Sequence, residues 1–385
     1  MKMMKNVLPT YKYFDIDPMD GNDCHIIDST GKEYVDFTSG IGVCNLGYSN
    51  EEVKTAVGEQ LNHIWHTSNL YINSLQDKVA GKLCPKGYLA FLCNSGTEAN
   101  EAAFKIARKY THKKKVLAFN FGFHGRTYGS LSLTGYEAIQ SGFTPLVPGS
   151  EFAEYNDDKA LDFIDNDCAA VILEVIQGEG GVNVGKTEWL NKIEAKCHQT
   201  NTLLIVDEVQ TGMGRTGYKF AFEYAGLHPD IITCAKGLGN GLPVGAMLAK
   251  KELASSFGPG SHGNTFGGNK VVMAAANAVL NQMTPEFLDE VKAKGEFLFQ
   301  ELSTQLLSLP NVEKISGRGL MVGIHLSDSI DVAAVIKKLQ SNGMLTISAR
   351  ANTLRLLPPL IMDKKTLQWG VQQIKDVLEK EVASC

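Results

Sequence analysis

Short apolar runs alternate with amphipathic ones along the middle of the chain. From about residue 88, YLAFLCN, KVLAFN, AAVILEVI, LLIVDEV, IITCA and VGAMLA have the length and apolar character of strands buried on both faces. Segments of helical period lie between them. In TEANEAAFKIARKY, Ala99, Ala103, Ile106, Ala107 and Tyr110 fall on one face, and Ser95 and Glu98 are spaced as a capping box at its start. Alternating strands and helices predict an α/β fold with a mostly parallel central sheet. A long helical pattern starts near Lys270, followed by helices, the run MVGIHL and a strand near TLRLLPP. The expected organisation is an N-terminal arm over 1–45, a large domain over 46–270 and a smaller α+β domain over 271–385. The arm carries a hairpin around DSTGKEYVDF, turning at Ser29, Thr30 and Gly31, and packs with the small domain.

A chain of 385 residues can bury two cores. The 37 Lys and Arg against 42 Asp and Glu, a net charge of -5, give no general attraction for nucleic acid or an anionic membrane surface. Eight scattered cysteines without a C-x-x-C pair suggest neither disulfides nor a zinc site. The N-terminus MKMMKNVLPTYKYF lacks the apolar run of a signal peptide, and no stretch is long enough to span a membrane. A cytoplasmic protein is expected.

Two glycine-rich motifs compete for attention. GGVNVGKT, Gly180 to Thr187, matches the phosphate-binding P-loop between a strand-like and a helix-like run, and LLIVDE ends a strand in two carboxylates that could hold magnesium. Against a nucleotide reading, Glu174 and Glu179 would repel a triphosphate, and only one crossover helix fits between Lys186 and Asp207. GMGRTG, Gly212 to Gly217, has dinucleotide-fingerprint spacing. It lacks the acidic residue at the end of a second strand and the small-residue helix start, so a plain loop is expected.

A third constellation explains more. Gly96 and Thr97 open a helix and can present amides and a hydroxyl to a phosphate at its positive end. Lys236 sits in CAKGLGNGLPVGA, at a strand end among small uncharged residues, where partial desolvation would lower its pKa and free its amine for a Schiff base. Asp207 follows four apolar residues, placed to pair with a pyridine nitrogen and keep it protonated. Their bland readings are a well-capped helix, a surface lysine and a solvated strand end.

NSGTEANEAA, FHGRTYGSLSLTG, EVIQGEGGV, DEVQTGMGRTG, AKGLGNGLPVGA, GNTFGGN and RLLPPL, in this order, resemble the class III aminotransferases over nearly the whole chain. The resemblance implies the type I fold of pyridoxal phosphate enzymes, with the cofactor carried on Lys236, which also moves the proton between substrate and cofactor. It further implies that Asp207 is the pyridinium partner, that Phe123 and Val209 sandwich the ring, that Gln210 bonds the ring oxygen, and that Gly96 and Thr97 hold the phosphate. Thr265 resembles a residue reaching the phosphate of the neighbouring subunit, which implies a homodimer with shared active sites. Arg126 resembles the arginine that grips a distal carboxylate. Glu179 and Arg355 resemble a gate in which Glu179 neutralises Arg355 until 2-oxoglutarate arrives.

Within the class, HTSNLYINSLQ and GIGV look most like the acetylornithine branch. Ile41 stands where ornithine enzymes usually carry a tyrosine, and Asn264 resembles a substrate contact from the second subunit. The family usually shows Gly-His-x-Pro where Gly47, Tyr48, Ser49 and Asn50 stand, and a proline at Val175. The implied reaction moves the δ-amino group of N-acetylornithine to 2-oxoglutarate, giving glutamate, as in arginine synthesis. Succinylornithine, ornithine and 4-aminobutyrate are the alternative donors.

Overall fold

The computed structural model describes residues 4–382; Met1, Lys2 and Met3 of the N-terminal stretch and Cys385 lie outside the described residues. The six apolar runs and a seventh strand that the pattern does not predict, Ser150–Ala153, form one sheet in the order Tyr88–Cys93, Gly245–Lys250, Ile231–Cys234, Leu203–Asp207, Cys168–Leu173, Lys115–Phe119, Ser150–Ala153. Gly245–Lys250 runs antiparallel to both neighbours, and the other adjacent pairs are parallel. Cys168–Leu173, Leu203–Asp207 and Ile231–Cys234 are buried throughout, as strands covered by helices on both faces must be. Tyr88–Cys93 buries only Cys93 fully.

The helix Gly96–Thr111 begins where expected, with the Ser95 side chain accepting from the Glu98 amide. The capping box is half made, because Glu98 accepts from the backbone and side-chain amides of Asn94 rather than from Ser95. The buried face is wider than the predicted stripe, taking in Asn100, Ala102 and Phe104, and Tyr110 stays 39% exposed. A helix set between a sheet and a second layer buries more than one stripe, and Tyr110 falls in the last turn, beyond the sheet edge.

A second, four-stranded antiparallel sheet holds Val312–Arg318, Met321–Leu326, Thr353–Leu356 and Ile347–Ala349. Its core includes Leu298 and Leu302 of the helix Pro285–Leu306 and Val371 and Ile374 of the helix Lys364–Val382. The helix Lys270–Gln282 buries Met273, Ala276 and Leu280 in the core of the large sheet. Near the N-terminus, His25–Asp28 and Glu33–Asp36 form the hairpin, turning at Ser29–Lys32, and Glu33–Asp36 pairs in parallel with Met344–Leu345. Among the described residues, no helix is long and apolar enough to cross a membrane.

Candidate active site

Every parallel strand of the large sheet that bears chemistry delivers it at its C-terminal end, where an open α/β sheet leaves its crevice. Asn94 and Ser95 follow Cys93, Phe123 and His124 lie beyond Phe119, and Glu174 follows Leu173. Asp207 closes its own strand, and Lys236 comes two residues after Cys234. Together they border a cavity of about 410 Å³ that is also lined by Gly96, Thr97, Arg126, Glu179, Val209 and Gln210. Nine of the twelve residues singled out in the sequence therefore meet in one place. Arg355 stands behind Glu179, while Thr265 and Asn264 lie elsewhere.

Asp207 is 3% exposed and held by three neighbours. Its Oδ2 accepts from the Asn100 amide at 2.8 Å and contacts His124 Nδ1 at 2.8 Å, and its Oδ1 accepts from the Val209 amide at 2.9 Å. Asn100 is fixed in turn, donating also to the His124 carbonyl and accepting from Thr233 Oγ1. A buried carboxylate held in this way cannot rotate. Asn100 and His124 escape sequence reading because one sits on a helix face of small residues and the other beside the more conspicuous Arg126.

Lys236 has a backbone φ of +44°, a conformation that side chains rarely adopt and that concentrates at functional sites. Burial lowers its amine below the ordinary lysine value; Glu179 opposes that shift and Arg355 adds to it. Glu179 meets Arg355 at 2.6 Å, and Arg355 also donates to Gln210 Oε1 at 3.2 Å. Burial alone would raise the Glu179 carboxyl, but the charge and hydrogen bond of Arg355 hold it below the usual range. Arg355 is 1% exposed, so its charge is masked. Arg126 is exposed at the cavity mouth, its guanidinium 5.6 Å from the Phe123 ring centre. One arginine is closed and one is open.

Thr97 is placed differently from expectation in one respect, since its hydroxyl engages Thr127 and Ser130. Of the first-turn amides, that of Glu98 is taken by Ser95 Oγ and that of Ala99 by the Ser95 carbonyl, which leaves those of Gly96 and Thr97 to face a phosphate. Asn264 is tied to its own chain, donating to the Leu92 carbonyl and accepting from the Gly267 amide. Thr265 is exposed, in a shallow depression with His66, Thr67 and Asn69.

GGVNVGKT does not fold as a phosphate cradle. Asn183–Val184 pairs antiparallel with Ile176–Gln177, a Cβ on Gly185 would strike the Tyr155 hydroxyl at 2.6 Å, and Lys186 is exposed outside the cavity. The Gly185 amide donates to the Val175 carbonyl and the Lys186 amide to Asn156 Oδ1, so neither is free for a nucleotide. GMGRTG is a turn whose Arg215 is buried, donating to the Leu320 and Pro358 carbonyls, to Ser39 Oγ and to Asn45 Oδ1.

Residues 9–378 match the family described as aminotransferase class-III. The chain belongs to this family. It is 57% identical over 376 residues to an acetylornithine aminotransferase of Lactiplantibacillus plantarum, covering 97% of each chain. It is 51% identical over 383 residues to one of Listeria innocua, covering 98% of this chain and 99% of the other. Among solved structures it resembles the ornithine aminotransferase of Toxoplasma gondii, with a TM-score of 0.94, 31% identity and coverage of 98% and 93%. It also resembles the N-acetylornithine aminotransferase of Stenotrophomonas maltophilia, with a TM-score of 0.83, 30% identity and coverage of 96% and 97%. As a class-III aminotransferase the protein has the type I fold and uses pyridoxal phosphate.

The residues present fit that cofactor. A Cβ on Gly96 would lie 2.7 Å from both Val209 methyls, and one on Gly125 would lie 2.2 Å from Thr97 Oγ1. Only glycine lets the helix start and the Arg126 loop close around a phosphate-sized group. The buried Asp207 carboxyl and the Lys236 amine, its pKa lowered by burial, would supply the two other contacts that a phosphorylated pyridine carbaldehyde needs.

Proposed function

We propose that the protein transfers the δ-amino group of N-acetylornithine to 2-oxoglutarate. The observation that carries this reading is the pair of arginines, one exposed at the mouth and one masked by Glu179. A donor with its only carboxylate far from the reacting amine needs one arginine, whereas 2-oxoglutarate, with two carboxylates, needs both. Relatives named acetylornithine aminotransferase, 45–57% identical over nearly the whole chain, favour the acetylated donor. Ile41, near the cavity residue Val43, offers no hydroxyl to a free α-amino group.

Bound pyridoxal phosphate supplies an electron sink for the carbon beside the transferred nitrogen. In this reading the Lys236 amine holds the cofactor and moves the proton at that carbon. Asp207 faces the ring nitrogen and keeps it protonated, Phe123 and Val209 fix the ring plane, and Gln210 bonds the ring oxygen. Gly96 and Thr97 give amides to the phosphate. Arg126 binds the distal carboxylate of either substrate. Glu179 masks Arg355 for the donor and swings away to expose it to the α-carboxylate of 2-oxoglutarate.

The active unit in this reading is a homodimer. Trp65, Leu70, Tyr71, Ile72 and Phe266 are 60%, 93%, 71%, 97% and 60% exposed, an apolar surface that a second copy would cover. Thr265 and Asn264 border it, placing them to reach the neighbouring site. The cytoplasm is the proposed location, in keeping with the seven free cysteines among the described residues. The test is a comparison of kcat/KM for N-acetylornithine, succinylornithine, ornithine and 4-aminobutyrate with 2-oxoglutarate as acceptor. N-acetylornithine should be preferred; a higher value for any other donor would replace it.

A further inference from the structure

The mechanism above leaves one buried carboxylate of the cavity wall without a task. Glu174 follows the strand Cys168–Leu173, is 6% exposed and borders the cavity. Among the described residues, no lysine or arginine bonds it. Its Oε1 accepts from the Phe123 amide at 3.0 Å, and its Oε2 accepts from the Gly178 amide at 3.2 Å. Its backbone is anchored independently, since the Tyr155 hydroxyl donates to the Glu174 carbonyl at 2.6 Å.

The two amides belong to the two parts that must keep register. Phe123 presents the aromatic face of the cavity. Gly178 immediately precedes Glu179 and is packed so closely that a Cβ there would lie 2.1 Å from Gln210 Oε1. That same oxygen accepts from Arg355, and Gln210 Nε2 lies 3.4 Å from Glu179 Oε1. A shift of Gly178 is therefore passed to Gln210 and on to the Glu179–Arg355 pair. The Gln177 side chain donates to the Asn120 carbonyl at 2.9 Å, a second rung between the same two segments. A carboxylate suits the position because both of its oxygens accept, whereas a glutamine would turn one donor toward another donor.

We propose that Glu174 is a positioning residue that ties the Phe123 platform to the Glu179–Arg355 gate, so that ring placement and gate opening are coupled. The tie rests on the gate reading above but not on the identity of the donor. The surrounding groups act on its charge in opposing directions. Burial pushes the Glu174 carboxyl up to about 7, His124 pulls it down and Asp207 pushes it up, and the two backbone amides favour the charged form.

The test is Glu174→Gln in the cofactor-loaded enzyme, with each half-reaction followed separately by the visible absorption of the cofactor. Glutamate alone reports on the gate, and N-acetylornithine alone reports on the platform without it. Loss of one charge-assisted acceptor should raise the apparent KM for glutamate and for 2-oxoglutarate roughly tenfold while the donor constant moves less than about threefold. Equal constants in both half-reactions, or equal losses in both, would overturn the proposal. If E174Q fails to load cofactor, Glu174→Asp is measured instead; it keeps two acceptors on a shorter stem and should show the same split at smaller size, and no split there overturns the proposal as well. Wild-type enzyme inert to N-acetylornithine but active with glutamate would remove the donor reading and leave this one intact, with the active donor taking its place in the assay.

Discussion

Replacing Glu179 with glutamine removes the charge that masks Arg355, and the structure sets the size of the effect. The pair meets at 2.6 Å with Arg355 1% and Glu179 37% exposed at the side chain. Unit charges about 4 Å apart at an effective dielectric near 20 interact by about 4 kcal/mol. Solvent reaching Glu179 reduces this to about 1–2 kcal/mol of net masking. An incoming α-carboxylate must displace that interaction, so E179Q should bind 2-oxoglutarate about tenfold more tightly. The assay is the amino-loaded enzyme mixed with increasing 2-oxoglutarate, the return of the visible band giving the rate at each concentration. The apparent dissociation constant should fall, glutamate should become a stronger product inhibitor, and the N-acetylornithine half-reaction should lose its advantage over glutamate. Weaker binding of 2-oxoglutarate would refute the reasoning, because it would mean that Glu179 helps to hold the keto acid instead of competing with it.

Three other outcomes are expected. Arg126→Ala should lower kcat/KM for N-acetylornithine by roughly a hundredfold through loss of a charge-assisted carboxylate contact, with cofactor loading unchanged in the absorption spectrum because Arg126 is exposed at the mouth. Glu174 and Glu208 are both pushed up to about 7 by burial; folding therefore binds protons, and the stability from each, at most on the order of 3 kcal/mol, is full below the unfolded value near 4.5 and lost as pH rises through 7. Melting temperatures from pH 5 to 8 should show that decline, with a shallower slope in Glu208→Gln. Ile72→Asp, placing a charge at a residue 97% exposed in the single chain, should convert the proposed homodimer to monomer in sedimentation and abolish activity; a dimeric, active variant would show that this surface is not the interface.

Six strands of the large sheet were legible because each is an apolar run of strand length, while the half-polar edge strand Ser150–Ala153 was not; Asp207 and Lys236 stood out as charged residues at the ends of such runs. Helix edges were less legible. Tyr110 has helical spacing with Ala103 and Ile106, yet it lies in the last turn and faces solvent. The cavity's supporting groups were hidden because their partners come from distant strands. Asn100 reads as one more small-face residue until Asp207, His124 and Thr233 are brought to it, and Glu174 reads as a charge beside a phosphate motif until its oxygens meet the Phe123 and Gly178 amides. GGVNVGKT shows the opposite limit. Its letters match a P-loop, but the loop's conformation is set by pairing with Ile176–Gln177, which the motif does not encode.

The most direct test of the account is the absorption spectrum of the purified, cofactor-loaded enzyme before and after N-acetylornithine is added without any keto acid. The account predicts a visible band that disappears with the amino donor and returns when 2-oxoglutarate is added. A band that persists through the donor addition, and bleaches only with a different amine, would contradict it.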